Sequence, residues 1–174
     1  MQVVDWKIII KENGPVVWQT AYRLLGNNSD AADCFQDTFV CALEICRRQQ
    51  IRNFSALLVR LATTRAIDRL RKRFRHERND ATGFEKTERS SPDPAQYAQQ
   101  QELAARLKTA LIQLPFQEAQ VFCLRHLNDM TYRNIANELG ITTSAVGVIL
   151  HRAKTKLRRL CEISDKEQKS EVIL

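Results

Sequence analysis

The stretch from Tyr132 to His151 has the residue types and spacing of two short helices joined by a sharp turn. Gly140 can adopt left-handed backbone angles at no steric cost, as a sharp turn between two helices requires. Ala136 is small enough to let two helices cross closely. Apolar residues recur on the faces that would pack together, at Ile135, Leu139, Ile141, Val146 and Ile149 or Leu150. The pattern predicts a helix-turn-helix, whose second helix lies in the major groove.

Cations follow this second helix at close spacing. They are Arg152, Lys154, Lys156, Arg158 and Arg159, with no acid among them. Guanidinium and ammonium groups that neutralise phosphates supply the sequence-independent part of DNA affinity. The segment therefore predicts contacts with the DNA backbone.

Charge is unevenly distributed along the chain. The 174 residues include 27 Lys and Arg against 20 Asp and Glu, a net charge of +7. Residues 27–46 hold four acids and no Lys or Arg, whereas residues 60–78 hold eight cations and two acids. Neighbouring segments of opposite sign indicate two different partners.

The acidic segment has the pattern of an amphipathic helix over residues 30–46. The stripe predicted to be buried consists of Phe35, Phe39, Ala42 and Cys46, and the opposite side of Asp33, Gln36, Asp37, Val40 and Glu44. Acids with one aliphatic residue suit a basic groove on another protein. They also suit a surface that only keeps the helix solvated, and the pattern leaves both readings open.

The basic segment predicts a longer helix over residues 55–76. Its predicted core arc is Val59, Ala62, Ala66, Ile67, Leu70 and Phe74, and the opposite arc is Thr64, Arg65, Asp68, Arg71, Lys72 and Arg75. Such a polar arc can bind phosphates and offer groups to bases. Asp68 can instead pair within the helix with Arg71 or Lys72.

Composition argues against an enzyme, a metal site and a cofactor site. The three histidines are scattered, and neither a Gly-rich phosphate loop nor a catalytic carboxylate pair is recognisable, so no catalytic residue is assigned. The five cysteines form no CxxC pair, which favours reduced thiols. A signal sequence and a run of the roughly 20 apolar residues that span a bilayer are both missing. We expect a cytoplasmic protein with no membrane contact of its own.

The periodicity predicts an all-α protein of two small helical domains joined by a flexible linker. Residues 1–77 form the first domain, 78–95 the polar linker, 96–161 the second domain and 162–174 a fraying tail. Within the first domain, Pro15 is expected in the first turn of a helix that ends near Leu25. Domains of this size bury only about 60% of their unfolded surface, so docking onto a large partner should matter for stability.

Two blocks of residues resemble a known family. Asp30-Ala-Ala-Asp-Cys-Phe-Gln-Asp-Thr-Phe39 and the segment 54–71 resemble conserved region 2 of bacterial sigma factors. Leu114-Pro115, the segment 131–141 and the segment 151–158 resemble region 4. The resemblance covers about residues 5–160, with no room for a region 1 or region 3 domain. The chain thus resembles an extracytoplasmic-function (ECF) member of the sigma-70 family.

The resemblance implies partners and roles. Core RNA polymerase would be contacted through its clamp coiled coil and its flap, the clamp by Asp33, Gln36, Asp37 and Val40. The promoter −10 element would be opened and read by Asn53, Phe54, Thr64, Arg65, Asp68 and Lys72. The −35 element would be bound by Thr143, Ser144, Val148, His151, Arg152, Lys154 and Lys156. The linker would thread toward the RNA exit path, and an anti-sigma factor would hold the protein inactive.

Several positions depart from the family pattern. Leu57 stands where many members have Trp, and Thr64 where many have Asn. Gly147, Val148 and Ile149 replace residues that are usually polar in the recognition helix, and Gly147 weakens that helix by about 1 kcal/mol relative to Ala. The promoter sequence is therefore the property that can least be carried over from the family to this chain.

A free-standing helix-turn-helix regulator with a helical dimerisation or sensing domain is the alternative. It explains the helix-turn-helix but neither the acidic helix nor the long basic helix. A regulator would bind operator DNA unaided, whereas a sigma factor would associate with core polymerase.

Overall fold

The computed structural model describes residues 4–79 and 94–171, with the backbone alone at 94–97 and 163–171. Within those ranges every element is a helix, which confirms the predicted all-α class. The helices are α1 (Trp6–Leu25), α2 (Asn28–Arg48), α3 (Phe54–Asn79), α4 (Pro94–Gln113), α5 (Phe116–His126), α6 (Tyr132–Leu139) and α7 (Thr143–Glu171).

The first helix begins earlier than the sequence predicts. The side chain of Asp5 accepts hydrogen bonds from the backbone N–H groups of Lys7 and Ile8 and so caps α1. Pro15 therefore lies inside α1 rather than in its first turn, where it removes one helical hydrogen bond. Gly26 ends the helix in the left-handed conformation, as expected.

Helices α1, α2 and α3 form a bundle around an apolar cluster. Its buried members are Val17, Phe39, Ala42, Leu57, Leu58, Leu61 and Ala62. The rings of Phe35 and Phe39 lie 4.8 Å apart, next to this cluster. The predicted apolar stripe of α2 thus faces the core, although Phe35 and Cys46 are only half-buried.

Helices α6 and α7 form the predicted helix-turn-helix. Thr131 caps α6 by accepting a hydrogen bond from Asn134 N. Gly140 has φ = +65° and donates its N–H to Ala136 O, so the turn has the expected left-handed residue. Ile135, Val146 and Leu150 are buried in the cluster that joins α6 and α7 to α5. The predicted spacing is confirmed.

The N-terminal and C-terminal sets of helices are packed on one another. One buried cluster joins Leu24, Leu25, Ile67 and Leu70 to Leu111, Leu114 and Cys123. A second joins Ala56 and Val59 of α3 to Val121 and Leu124 of α5. The part of the predicted linker at 80–93 lies outside the described residues. Over residues 162–171 the backbone continues α7, where the sequence predicted a fraying tail.

We predict that Thr131→Ala costs about 1 kcal/mol of stability because the α6 N-terminus loses its cap. For a chain of this size the melting temperature should fall by roughly 2–4 °C in calorimetry. Thr109→Ala is the matched control, because Thr109 lies exposed within α4 and its hydroxyl bonds only Ala105 O. A Thr131→Ala variant that melts with the parent would contradict the capping role.

Candidate DNA and polymerase interfaces

The N-terminal part of α7 presents the predicted base-reading residues on the surface. Thr142 Oγ1 accepts a hydrogen bond from Ala145 N, which caps this helix end. The candidates Thr143, Ser144, Val148 and His151 are all exposed. The structure thus brings this part of the predicted set onto one accessible helix.

The cations that follow differ in their surroundings. Arg152 is exposed and Lys154 is half-buried. Lys156 Nζ lies 2.8 Å from Glu118 Oε1 on α5, and Glu118 is only 8% exposed. Glu118 Oε2 has no hydrogen-bond partner among the described residues. Lys156 therefore neutralises a buried carboxylate, a role that the sequence did not predict, while Arg152 is available to phosphate.

The predicted polymerase-binding residues lie together on the outer side of α2. Gln36 and Val40 are exposed, and the side chains of Asp33 and Asp37 retain 61% and 50% of their accessible surface. Arg69 of α3, which the sequence did not single out, reaches both acids. Its guanidinium lies 2.5 Å from Asp37 Oδ2 and 3.7 Å from Asp33 Oδ2.

The predicted −10 residues occupy two different environments. Asn53 is exposed and caps α3 by accepting from Ala56 N at 3.0 Å. Phe54 is half-buried, and the centre of its ring lies 5.9 Å from that of Trp6 in an edge-to-face arrangement. Arg65 and Lys72 are exposed and Asp68 is half-buried, so this side of α3 remains open.

Thr64, one helical turn before Asp68, is half-buried at the border between this open side and the C-terminal helices. Its hydroxyl donates to Arg60 O at 2.8 Å and accepts from Gln120 Nε2 at 2.8 Å. The Thr64 hydroxyl thus uses its proton and an acceptor lone pair in hydrogen bonds with other groups of this chain. Among the predicted −10 residues, Thr64 is thus engaged by α5 through its hydroxyl group.

We call the covered side of α3 the docking stripe. It consists of Ala56, Val59, Arg60, Thr63, Thr64, Ile67 and Arg71. Arg60 Nε pairs with Glu138 Oε2 at 3.1 Å, with both side chains less than a quarter exposed. Arg71 donates to Leu114 O at 2.5 Å, and its guanidinium lies 5.4 Å from the centre of the Phe116 ring.

The turn after α5 is fastened to both α1 and α3. Thr20 Oγ1 donates to Asn128 Oδ1 at 2.6 Å, and Asn128 Nδ2 donates to Thr63 Oγ1 at 3.4 Å. Arg23 of α1 donates to Leu127 O at 2.9 Å. These polar pairs join residues more than 60 positions apart, so no local pattern in the sequence marks them.

The buried cysteines fit reduced thiols. Burial raises the pKa of Cys34 to about 11 and that of Cys123 to about 12, so both stay protonated at neutral pH. His126 packs its ring 4.8 Å from Phe122, and burial lowers its pKa. In the described ranges, no three His, Cys, Asp or Glu residues are placed to hold a metal. None of the helices described there has the length and apolarity to cross a membrane.

Two family models match the chain. The model for Sigma-70 region 2 matches residues 9–76, and the model for Sigma-70, region 4 matches residues 104–157. Among curated proteins, the chain is 30% identical over 157 residues to the ECF RNA polymerase sigma factor SigE of Mycolicibacterium smegmatis. That alignment covers 88% of this chain but only 60% of the relative. The ECF RNA polymerase sigma factor SigW of Bacillus subtilis is 28% identical, with 82% and 81% covered.

Two solved structures share the fold. One is CnrH in complex with the cytosolic domain of CnrY, with a TM-score of 0.59 at 24% identity, covering 90% of this chain and 87% of that one. The other is the sigma factor RpoE in complex with the anti-sigma factor NepR from Bartonella quintana. Its TM-score is 0.56 at 21% identity, with 91% and 98% covered.

We predict that Arg60→Glu or Glu138→Arg weakens the packing of the C-terminal helices on the docking stripe. Like charges would face each other, and coupling energies of about 0.5–3 kcal/mol are usual for neighbouring residues in one network. Small-angle scattering should give a radius of gyration near 16 Å for the compact parent chain and a larger one for each single variant.

The double variant Arg60→Glu/Glu138→Arg is the matched control, since it restores opposite charges and has the parent's net charge. Its radius of gyration should return toward the parent value. Single variants as compact as the parent would show that this ion pair does not hold the two sets of helices together.

Proposed function

This chain belongs to the sigma-70 family, in its extracytoplasmic-function group, and we propose that it directs core RNA polymerase to the promoters of a specialised regulon. The observation that carries this is the pairing of both conserved regions in order on one chain, residues 9–76 and 104–157. Membership confirms the prediction that the chain is not an enzyme, because sigma factors catalyse no reaction of their own. The free-standing regulator is not favoured, since it gives the region 2 helices no role.

Polymerase binding is assigned to the outer side of α2. Asp33, Gln36, Asp37 and Val40 would contact the clamp coiled coil, and the C-terminal domain the flap. The exposure of all four side chains supports this assignment. Arg69 would hold the two acids in place until basic groups of the polymerase approach, because it already bonds both carboxylates.

Promoter binding is assigned to two surfaces. Asn53, Phe54, Arg65, Asp68 and Lys72 would act at the −10 element, joined by Thr64 once it is uncovered. The α7 residues Thr143, Ser144, Val148, His151, Arg152 and Lys154 would act at the −35 element, with Lys156 divided between phosphate and Glu118. Phosphate contacts would fix the register on DNA, and contacts with base edges would supply the specificity.

The packed arrangement would have to open for both surfaces to act together. Promoter elements 25 base pairs apart lie about 85 Å apart along the duplex, at roughly 3.4 Å per base pair. A compact chain of this length has a radius of gyration of about 16 Å, so it is roughly 40 Å across. The predicted linker at 78–95 would provide the reach.

An anti-sigma factor is a further proposed partner. Of the two similar structures, the Bartonella sigma factor RpoE is bound to the anti-sigma factor NepR, and CnrH is bound to the cytosolic domain of CnrY. We place the action of the chain in the cytoplasm, because core polymerase and the bacterial chromosome are there. Any such inhibitor would need to cover surfaces on both conserved regions or hold them in the packed state.

Reconstitution tests the proposed function directly. The purified chain is mixed with core polymerase, the complex is isolated by co-sedimentation, and transcripts made from genomic DNA are sequenced. We expect a complex and a defined set of new transcript starts. A chain that binds operator-like DNA alone and never associates with core would support the regulator instead.

We predict that reversing the charge of Asp33 and Asp37 together to Lys abolishes binding to core polymerase. Charge pairs at protein interfaces have coupling energies of about 1.5–7 kcal/mol, so a loss beyond tenfold is expected in a binding titration. Circular dichroism checks the fold, because Arg69 loses both partners. If the double variant unfolds, the neutral pair Asp33→Asn and Asp37→Asn is measured in its place.

Glu12→Lys is the matched control for this experiment. Glu12 is an exposed acid on α1 rather than α2, and the change in net charge per site is the same. Control and parent should bind core equally. Unchanged affinity of the Asp33/Asp37 variant would remove these acids from the polymerase interface.

We predict that Arg152→Ala lowers promoter affinity and reduces the slope of log affinity against log salt by about 0.9, as for one lost phosphate contact. Lys156→Ala is an informative comparison. It should lower the melting temperature, because it leaves the buried Glu118 carboxylate unpaired at a cost of about 1–3 kcal/mol. A salt slope identical to that of the parent for Arg152→Ala would place Arg152 outside the DNA interface.

A further inference from the structure

The reading surface of α7 contains an aliphatic side chain that the fold does not use. Ser144, Val148, His151 and Arg152 follow one another along one exposed side of the helix. Val148 is 50% exposed and is the one large apolar side chain of α7 that stands out into solvent within the described residues. Its neighbours Val146 and Leu150 point into the core and are almost fully buried. Val148 is therefore available for contact with a partner.

The surroundings leave Val148 accessible to a partner. Gly147 has no side chain, and the nearest group to the position that its Cβ would occupy is the Tyr132 ring, at 3.7 Å. Ser144, one turn earlier, is short. Val148 is thus not covered by a long polar side chain at position 147 or 144, and its methyl groups form the outermost part of the helix surface there.

The charges around Val148 identify the partner as a polyanion. Arg152 and Lys154 follow within six residues, and no acid occurs between Thr143 and Arg159. This composition disfavours a hydrophobic protein interface and suits a duplex whose phosphates flank the helix. DNA in the major groove is the occupant to which the surface is matched.

The major groove offers one apolar group on the base edges, the C5 methyl of thymine. An aliphatic side chain gains by burying that methyl group. Against the amino group of cytosine it would instead remove a polar group from water without a hydrogen bond. From these observations we propose that Val148 is a specificity-determining residue that selects thymine at one position of the −35 element through its C5 methyl group. This inference rests on the proposed function, since it assigns base selectivity to the α7 surface.

The test removes the methyl group and changes nothing else. Holoenzyme reconstituted from core polymerase and the full chain first selects promoter DNA from a pool randomised in the −35 region. Each thymine of the selected element is then replaced singly by deoxyuridine, which lacks only the C5 methyl. At one position, we expect the parent holoenzyme to bind the deoxyuridine probe about fourfold more weakly than the thymine probe. This is the effect of one buried methyl group.

Val148→Ala supplies the second arm. The variant should bind the thymine and deoxyuridine probes equally, and both about as weakly as the parent binds deoxyuridine. Ile8→Ala is the matched control, because Ile8 is an aliphatic residue 52% exposed on α1, away from the α7 surface. This control should keep the parent's preference for thymine. Val148→Ala should also melt with the parent, since Val148 is half-exposed.

The outcomes separate the inference from the proposed function. A selected −35 element without thymine, a parent indifferent to every deoxyuridine, or a Val148→Ala variant that still discriminates would each overturn the inference while transcription starts normally. A Val148→Ala variant with weakened core binding would mean that a protein covers this surface, and would also overturn it. Failure to form any complex or transcript would instead count against the proposed function.

Discussion

One side of α3 is the constraint on which the rest of the structure depends. The docking stripe packs against α5 and α6 of the same chain, and it contains Thr64, a residue that we propose acts at the −10 element. A helix surface cannot bind its own C-terminal helices and a DNA strand at the same time. Under the proposed function, the packed arrangement and promoter opening are therefore alternatives, and the free energy of this contact would set the balance between them.

The composition of the contact suits a reversible association. Its polar pairs, such as Arg60 with Glu138 and Thr64 with Gln120, can exchange protein for water at a net cost of only about 0.5–1.5 kcal/mol each. Its apolar members, among them Val59 and Ile67, would be exposed on separation. A partner that covers this apolar surface would therefore favour the separated state, which is consistent with a chain that works as part of a larger assembly.

Local features of the fold could be predicted because they repeat at short range. The apolar spacing around Ile135 and Val146 and the left-handed turn at Gly140 are each fixed by neighbours within a few residues. The predicted start of α1 was wrong. The side chain of Asp5 caps the helix ten residues before Pro15, and the helix continues through Pro15 despite the usual preference of proline for a first turn.

The contacts between the two sets of helices could not be predicted in the same way. Lys156 looked like one more phosphate contact, yet the buried Glu118 carboxylate lies 38 positions away and gives no periodic signal. The apolar stripe of α3 gave a partial indication, because Val59 and Ile67 belong to the predicted core arc but pack against the C-terminal helices rather than α1 and α2 alone. A helical wheel identifies a buried side without identifying what buries it.

Asn128 gives the contact a further property. Its single amide group bonds Thr20 of α1 through the oxygen and Thr63 of α3 through the nitrogen. Because α1 and α3 belong to the same bundle, moving the turn after α5 away from that bundle would break both bonds. The loss of both bonds in one movement would make the separation of the two sets of helices cooperative at this point.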